Sequence, residues 1–324
     1  MSEADVKSWI NGDESAKRML DRVLTSRPSF SLPPPLHRIP LRVANVVEIA
    51  GPSPSAKTQI LTQTAVSCVL PKVWNGVHYG GLGRPVLYID LDCRFDVLRL
   101  VEMLRHRIVQ VNGCSSTAGN EEILKLSMRQ FSYIRCYDSF ELLATLKTLH
   151  HRLQKEKESN GIGGHLLMID SIGAFHWVDR ASTTLPLGGK NRKCLSLQNV
   201  LEIVVEDLRK LLLIHPMLVI VTKTAIVGTT GNEVKRNFKR WPSSGTPDTS
   251  SELERLQKPY FREYMPSIWQ SFVTHRILVQ GSDDHLAMPK SQENDLAYVS
   301  EWLLPRLNIL DKFVVRDAGV FLVS

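Results

Sequence analysis

The feature that most constrains this chain is a repeated order of short apolar run, polar loop and amphipathic segment. The apolar runs cover Val43–Ile49, Pro85–Asp90, Gln130–Cys136, His165–Asp170 and Met217–Thr222. Segments with helical spacing follow or separate them, over about Lys57–Leu70, Phe95–Val109, Ser139–Lys157 and Leu195–Leu213. Apolar strands without strict alternation are buried on both faces, and helices between them are what cover those faces. The pattern therefore predicts an α/β fold with a mostly parallel sheet and helices on both sides. Thr274–Val279, Lys312–Val315 and Val320–Val323 read as further β-structure closing the C-terminus.

Ahead of this core, apolar residues from Ser2 to Leu24 recur at helical spacing, interrupted at Asn11-Gly12-Asp13. The segment Arg27–Pro40 then carries five prolines and reads as an extended linker. The expected division is a helical and proline-rich leader over 1–40 and one core domain over 41–324. Two connections, Asp179–Arg192 and Ile226–Tyr260, exceed ordinary loop length, which points to function or disorder.

Several function classes are excluded by composition. The longest near-continuous apolar stretch, Leu211–Val221, is broken by His215-Pro216 and is shorter than the roughly 20 residues a membrane helix needs. The polar, acidic start MSEADVKSW reads as neither signal nor transit peptide. Five scattered cysteines with no C-x-x-C pair suit neither a disulfide framework nor a zinc cluster, so a reducing compartment is expected. A net charge of +7 is compatible with a polyanionic partner.

Four stretches carry candidate chemistry. GPSPSAKT, Gly51–Thr58, lies between a strand and a helix and nearly matches the phosphate loop G-x-x-x-x-G-K-[ST]. There Gly51, Ser55, Ala56, Lys57 and Thr58 would cradle the phosphates of ATP, Lys57 reaching the terminal ones and Thr58 ligating magnesium. Ala56 replaces the second glycine, and Pro54 removes one N–H from the cradle. If position 56 needs a positive φ, the alanine costs about 1–2 kcal/mol there. Asp170, ending HLLMID, is placed either to hold magnesium through water or to cap a turn. Asp92, just after VLYID, could activate water, or belong to an acidic turn capping the next helix. Finally, Lys235, Arg236, Lys239 and Arg240 interleave with Phe238 and Trp241. Cations with aromatics suit single-stranded DNA, but the run also reads as a nuclear import signal or a solvated surface.

Taken in order, GPSPSAKT, VLYIDLDCRFDVLRLVEMLRHRI, LLMIDSIGAFHWVDR, a helix, VIVTKT and WQSFVTHRI resemble the ATPase core of RecA-like recombinases, and among these the eukaryotic recombinase paralogues. The resemblance covers about Val43–Val323 and is weakest from Ile226 to Tyr260. It implies a nuclear subunit of a hetero-oligomer of recombinase paralogues in homologous-recombination repair of double-strand breaks, meeting single-stranded or branched DNA through the complex. By the same resemblance, Gly51, Lys57 and Thr58 fall on the phosphate loop and Asp170 on the magnesium-side aspartate. Asp92 falls where active recombinases carry a catalytic glutamate, and Thr224 where they carry a glutamine. Pro54, Ala56, Asp92 and Thr224 thus depart from the active pattern, which implies a degenerate site with a structural, partner-binding role. The alternative is a DNA-stimulated ATPase binding MgATP through Lys57, Thr58 and Asp170, and a third reading is a DNA-binding module built on the basic loop. The leader is too short for the family's N-terminal domain and lacks its aromatic-x-x-Ala hook, which implies a terminal place in a heterotypic stack.

Overall fold

The computed structural model describes residues 15–20, 29–113, 117–160, 165–182, 197–228, 260–282 and 296–323. Within the leader, residues 16–20 are helical. The proline-bearing segment, expected as an extended linker, turns at residues 34–35 into a 3-10 helix over Leu36–Arg38 and is not a free spacer. β1 (Ser29–Phe30) pairs antiparallel with β2 (Leu41–Arg42). Leu32, Leu36 and Leu41 between and beside them are buried in the main core. Each such side chain contributes about 1.5–3 kcal/mol of burial, so the expected linker is part of the packing.

The order that follows matches the predicted alternation, with added elements. β3 (Val46–Gly51) leads into α1 (Lys57–Val69), and a small hairpin of β4 (Val73–Trp74) and β5 (Val77–His78) precedes β6 (Val86–Asp90). α2 (Val97–Asn112) starts at Asp96, whose carboxylate accepts from the N–H groups of Leu98 and Arg99. The helix cap is therefore Asp96, not Asp92. α3 (Thr117–Arg129) is an element that the sequence pattern does not predict. β7 (Phe131–Arg135), α4 (Ser139–Asn160), β8 (Leu166–Asp170), α5 (His176–Ser182), α6 (Leu197–Ile214) and β9 (Leu218–Thr224) complete the alternating part. A short pair, β10 (Ile226–Gly228) and β11 (Tyr260–Arg262), precedes α7 (Ser267–Phe272). The C-terminus adds β12 (His275–Gly281), β13 (Ala297–Leu304), β14 (Arg306–Arg316) and β15 (Gly319–Leu322).

One nine-stranded sheet has the order β15-β14-β13-β12-β3-β9-β8-β6-β7. Its strands from β12 to β7 run parallel, and β12 through β15 form an antiparallel extension. This is the RecA-like α/β arrangement expected, with helices on both faces. Alternation along each strand decides what each side chain meets. Val47, Ile49, Tyr88, Met168 and Ile220 face α1, α2 and the proline-bearing segment. Val46, Ile89, Ile169 and Val221 face α4, α6 and α7.

The second face also carries a buried ion group. Lys223 Nζ lies 3.0 Å from Glu48 Oε1 and 2.7 Å from Glu263 Oε2, and Arg276 Nε lies 2.6 Å from Glu48 Oε1. Trp269 Nε1 donates to Glu48 Oε2 at 2.6 Å. Burial pushes the Glu263 carboxyl up, but Lys223, the Met265 N–H and Arg276 outweigh it and hold its pKa below the usual carboxylate value. His150 packs against His215, whose Nε2 lies 3.1 Å from His150 Nδ1.

Candidate nucleotide site

The phosphate loop spans the end of β3 and the start of α1, at the carboxyl edge of the sheet where ligands of open α/β folds bind. Gly51 is required by close approach. A Cβ there would stand 2.2 Å from the Val279 carbonyl oxygen and 2.6 Å from Ser55 Oγ. Ala56 adopts φ 58 and ψ 12, the left-handed conformation that the pattern reserves for glycine. No side chain caps the first turn of α1, so its leading N–H groups keep their capacity to bind an anion. Lys57 closes on its own loop, donating to the carbonyls of Gly51 at 3.0 Å and Pro52 at 2.7 Å and to Ser55 Oγ at 2.9 Å. Burial lowers its pKa to about 8, against the raising effects of Asp170 and Asp92.

Asp170 is the hub. It is 3% exposed, and Thr58 Oγ1 donates to its Oδ2 at 2.7 Å and the Tyr88 hydroxyl to the same oxygen at 2.8 Å. The Thr222 hydroxyl donates to Oδ1. Period-2 alternation explains the grouping: Tyr88, Asp170 and Thr222 lie on the face that α1 covers. Burial, then the neighbouring Asp170 carboxylate, raises the Tyr88 phenol well above its ordinary value, so it stays a donor. The Asp92 N–H points to the Asp170 carbonyl at 3.3 Å, and burial followed by the Asp170 charge raises the Asp92 carboxyl. Asp90 faces the same side and accepts from the Tyr133 hydroxyl at 2.9 Å, while its buried Oδ1 has no partner.

The geometry fits MgATP at the level of its residues. Thr58 and Asp170, a hydroxyl and a carboxylate in contact, are the hard oxygen ligands magnesium takes alongside substrate phosphates. Gly51, Ser55, Ala56, Lys57 and Thr58 are thus brought together with Asp170, and Asp92 sits beside them. Thr224 pairs with Gly51 across β3 and β9 and is exposed. Tyr88 and Thr222, which orient Asp170, were missed in the sequence. Their signal was polar residues an even number of positions from strand-end site residues. Lys235, Arg236, Phe238, Lys239, Arg240 and Trp241 lie outside the described residues.

Ala56→Gly is expected to stabilise the chain by about 0.5–1 kcal/mol. Relief of the left-handed strain, about 1–2 kcal/mol, exceeds the entropy glycine returns to the unfolded chain. A denaturation midpoint that fell in the variant would show that the loop carries no such strain.

No family profile matches the chain. Among curated proteins, it is 50% identical over 339 residues to the DNA repair protein XRCC2 homolog of Arabidopsis thaliana, covering 98% of this chain and 90% of that protein. It is also 29% identical over 279 residues to the DNA repair protein XRCC2 of Mus musculus, covering 85% of this chain and 84% of the mouse protein. With half its residues shared along nearly its whole length, on a RecA-like sheet, the chain belongs to the XRCC2 family of DNA repair proteins.

Proposed function

We propose that this chain acts in DNA repair as a nuclear subunit of a hetero-oligomer of recombinase paralogues serving homologous recombination at double-strand breaks, and that its nucleotide site grips ATP without efficient turnover. The relatives' names support the repair role. No helix among the described residues is long and apolar enough to cross a membrane. The observation that carries the nucleotide part is the loop itself: Ala56 occupies the left-handed position and Pro54 withholds a donor, while Lys57 lies within the loop and Thr58 and Asp170 stand in contact beside it. In this reading Gly51, Ser55, Ala56 and Lys57 hold the phosphates, and Thr58 and Asp170 hold magnesium. Bound magnesium would neutralise phosphate charge. DNA is met through the complex, with Lys235, Arg236, Phe238, Lys239, Arg240 and Trp241 as the contacting set.

Lys57→Ala tests it. Loss of one charge-assisted contact is expected to weaken ATP binding about 10- to 100-fold, while co-purification with paralogue partners stays intact. Lys57 is half charged near pH 8 in the free protein, and phosphate favours its charged form. Binding to the native chain should therefore take up a proton around that pH, with affinity falling as pH rises further; calorimetry in buffers of different ionisation enthalpy reads this. The ATPase alternative is favoured by one feature, the raised carboxyl of Asp92 beside Asp170. DNA-stimulated turnover that both Lys57→Ala and Asp92→Asn abolish would establish that reading and remove the one proposed.

A further inference from the structure

On the sheet face opposite the phosphate loop, α4, α5, α6 and the segment before α7 enclose a cavity of about 290 Å³. Its inner wall is apolar: Leu142, Ile172, Val200, Val204 and Met265 are all buried. Phe175 and Tyr264 add aromatic faces, and the His176 ring lies 5.0 Å from that of Tyr264. Two polar groups interrupt this lining. Asp179 sits on it with Oδ2 accepting from Ser139 Oγ at 2.5 Å, and the buried Nε2 of His176 has no hydrogen-bond partner.

Among the described residues, carboxylates outnumber cations around the cavity. Glu202 lines the cavity beside Asp179, and Asp138 lies close enough to act on the Asp179 carboxyl. The cation of the lining, Arg180, is itself engaged in a contact within the chain. Burial, then the charge of Arg180, lowers the His176 pKa, so the ring is neutral at physiological pH and can offer Nε2 as an acceptor. An anion would meet Asp179, Glu202 and Asp138. A purely apolar guest would leave His176 Nε2 and the Asp179 charge buried without compensation, which is unfavourable. A long aliphatic stem ending in a cation satisfies every part: the stem packs on the wall, the head pairs with Asp179, and aromatic faces favour the charge.

We propose that this cavity receives a lysine or arginine side chain from a basic segment of a partner protein. It is a protein-docking site, separate from the nucleotide site and independent of whether ATP binds. The carboxylates of Asp179 and Glu202 disfavour a polyanion there.

The full-length protein, labelled with ¹³C at Ile δ1 and Met ε methyls, reports occupancy directly, because Ile172 and Met265 line the cavity. n-Pentylammonium and n-butylguanidinium are expected to shift both methyls saturably in the millimolar range. n-Hexanol, of similar size but neutral, should bind at least about tenfold more weakly. Asp179→Asn should weaken the cations by about tenfold while keeping an acceptor for Ser139. Leu201→Trp, which fills the space without changing charge, should abolish the response. Equal binding of hexanol, a response to hexanoate or to an oligothymidylate in place of the cations, no saturable response at all, or cation binding unchanged in both variants would each overturn the proposal.

Discussion

Glu48→Ala is expected to cost the domain about 3–5 kcal/mol, the range for removing one partner of a buried ion pair. Glu48 is fully buried near the middle of β3, where it meets Lys223 Nζ at 3.0 Å, Arg276 Nε at 2.6 Å and Trp269 Nε1 at 2.6 Å. With it, two carboxylates face two cations. Without it, Lys223 and Arg276 share Glu263, and the Trp269 N–H loses its acceptor. A buried excess charge and an unsatisfied donor then add to the space left behind. Glu48→Gln keeps an acceptor for Trp269 and removes only the charge, so its loss should be smaller. Urea unfolding separates the two variants. A loss below about 1 kcal/mol for Glu48→Ala would mean that the ion group only offsets its own desolvation and fixes register at no net benefit. Because Glu263 also accepts from the Tyr264 and Met265 N–H groups, the effect should reach the segment between β11 and α7.

The second large effect is expected at the phosphate loop. Gly51→Ala places a methyl 2.2 Å from the Val279 carbonyl oxygen. That oxygen belongs to β12, which is paired with β3 on one side and β13 on the other, so it cannot move without disturbing both ladders. Overpacking against backbone of this kind costs about 3 kcal/mol. Either β12 separates from β3 or the loop turns away, and the second route would carry Ser55 and Lys57 with it. The variant should therefore lose both stability and ATP affinity, whereas Lys57→Ala loses affinity alone. Wild-type stability in Gly51→Ala would mean that the loop has room the geometry does not show. Comparing denaturation midpoints and nucleotide titrations of the two variants makes the distinction.

Both residues show how far a sequence can be read. Gly51 was legible as a close-approach position, since a glycine that ends an apolar strand shortly before a helix opening with Lys-Thr suits a tight strand-to-helix loop. Ala56 was half legible: its replacement of glycine was visible, and its left-handed φ became certain only with the backbone in place. Glu48 gave no signal of its role, because its partners Lys223, Glu263, Trp269 and Arg276 lie more than 170 residues away. Tyr88 and Thr222 were hidden for a related reason. Each looked like an ordinary strand residue until the parallel register set it on the same face as Asp170.

The proline-bearing leader shows the opposite failure. Prolines hold φ at about −65°, which suits a turn and a short 3-10 helix as well as an extended chain, and they do not decide exposure. Leu32 and Leu36 had a groove to fill, and that groove exists only once α1 and the C-terminal strands are assembled. Helix α3 and strand β13 escaped notice because neither forms a continuous apolar run.

By itself the sequence determined the fold class, the strand-and-helix alternation of the core and the family resemblance. All of these are carried by local periodicity and contiguous motifs. Tertiary structure alone decided which polar residues share a site, which ones neutralise each other in the core, and where an aromatic-lined cavity with carboxylates on its wall opens. Those outcomes depend on strand order and register, which bring together residues that no local pattern connects.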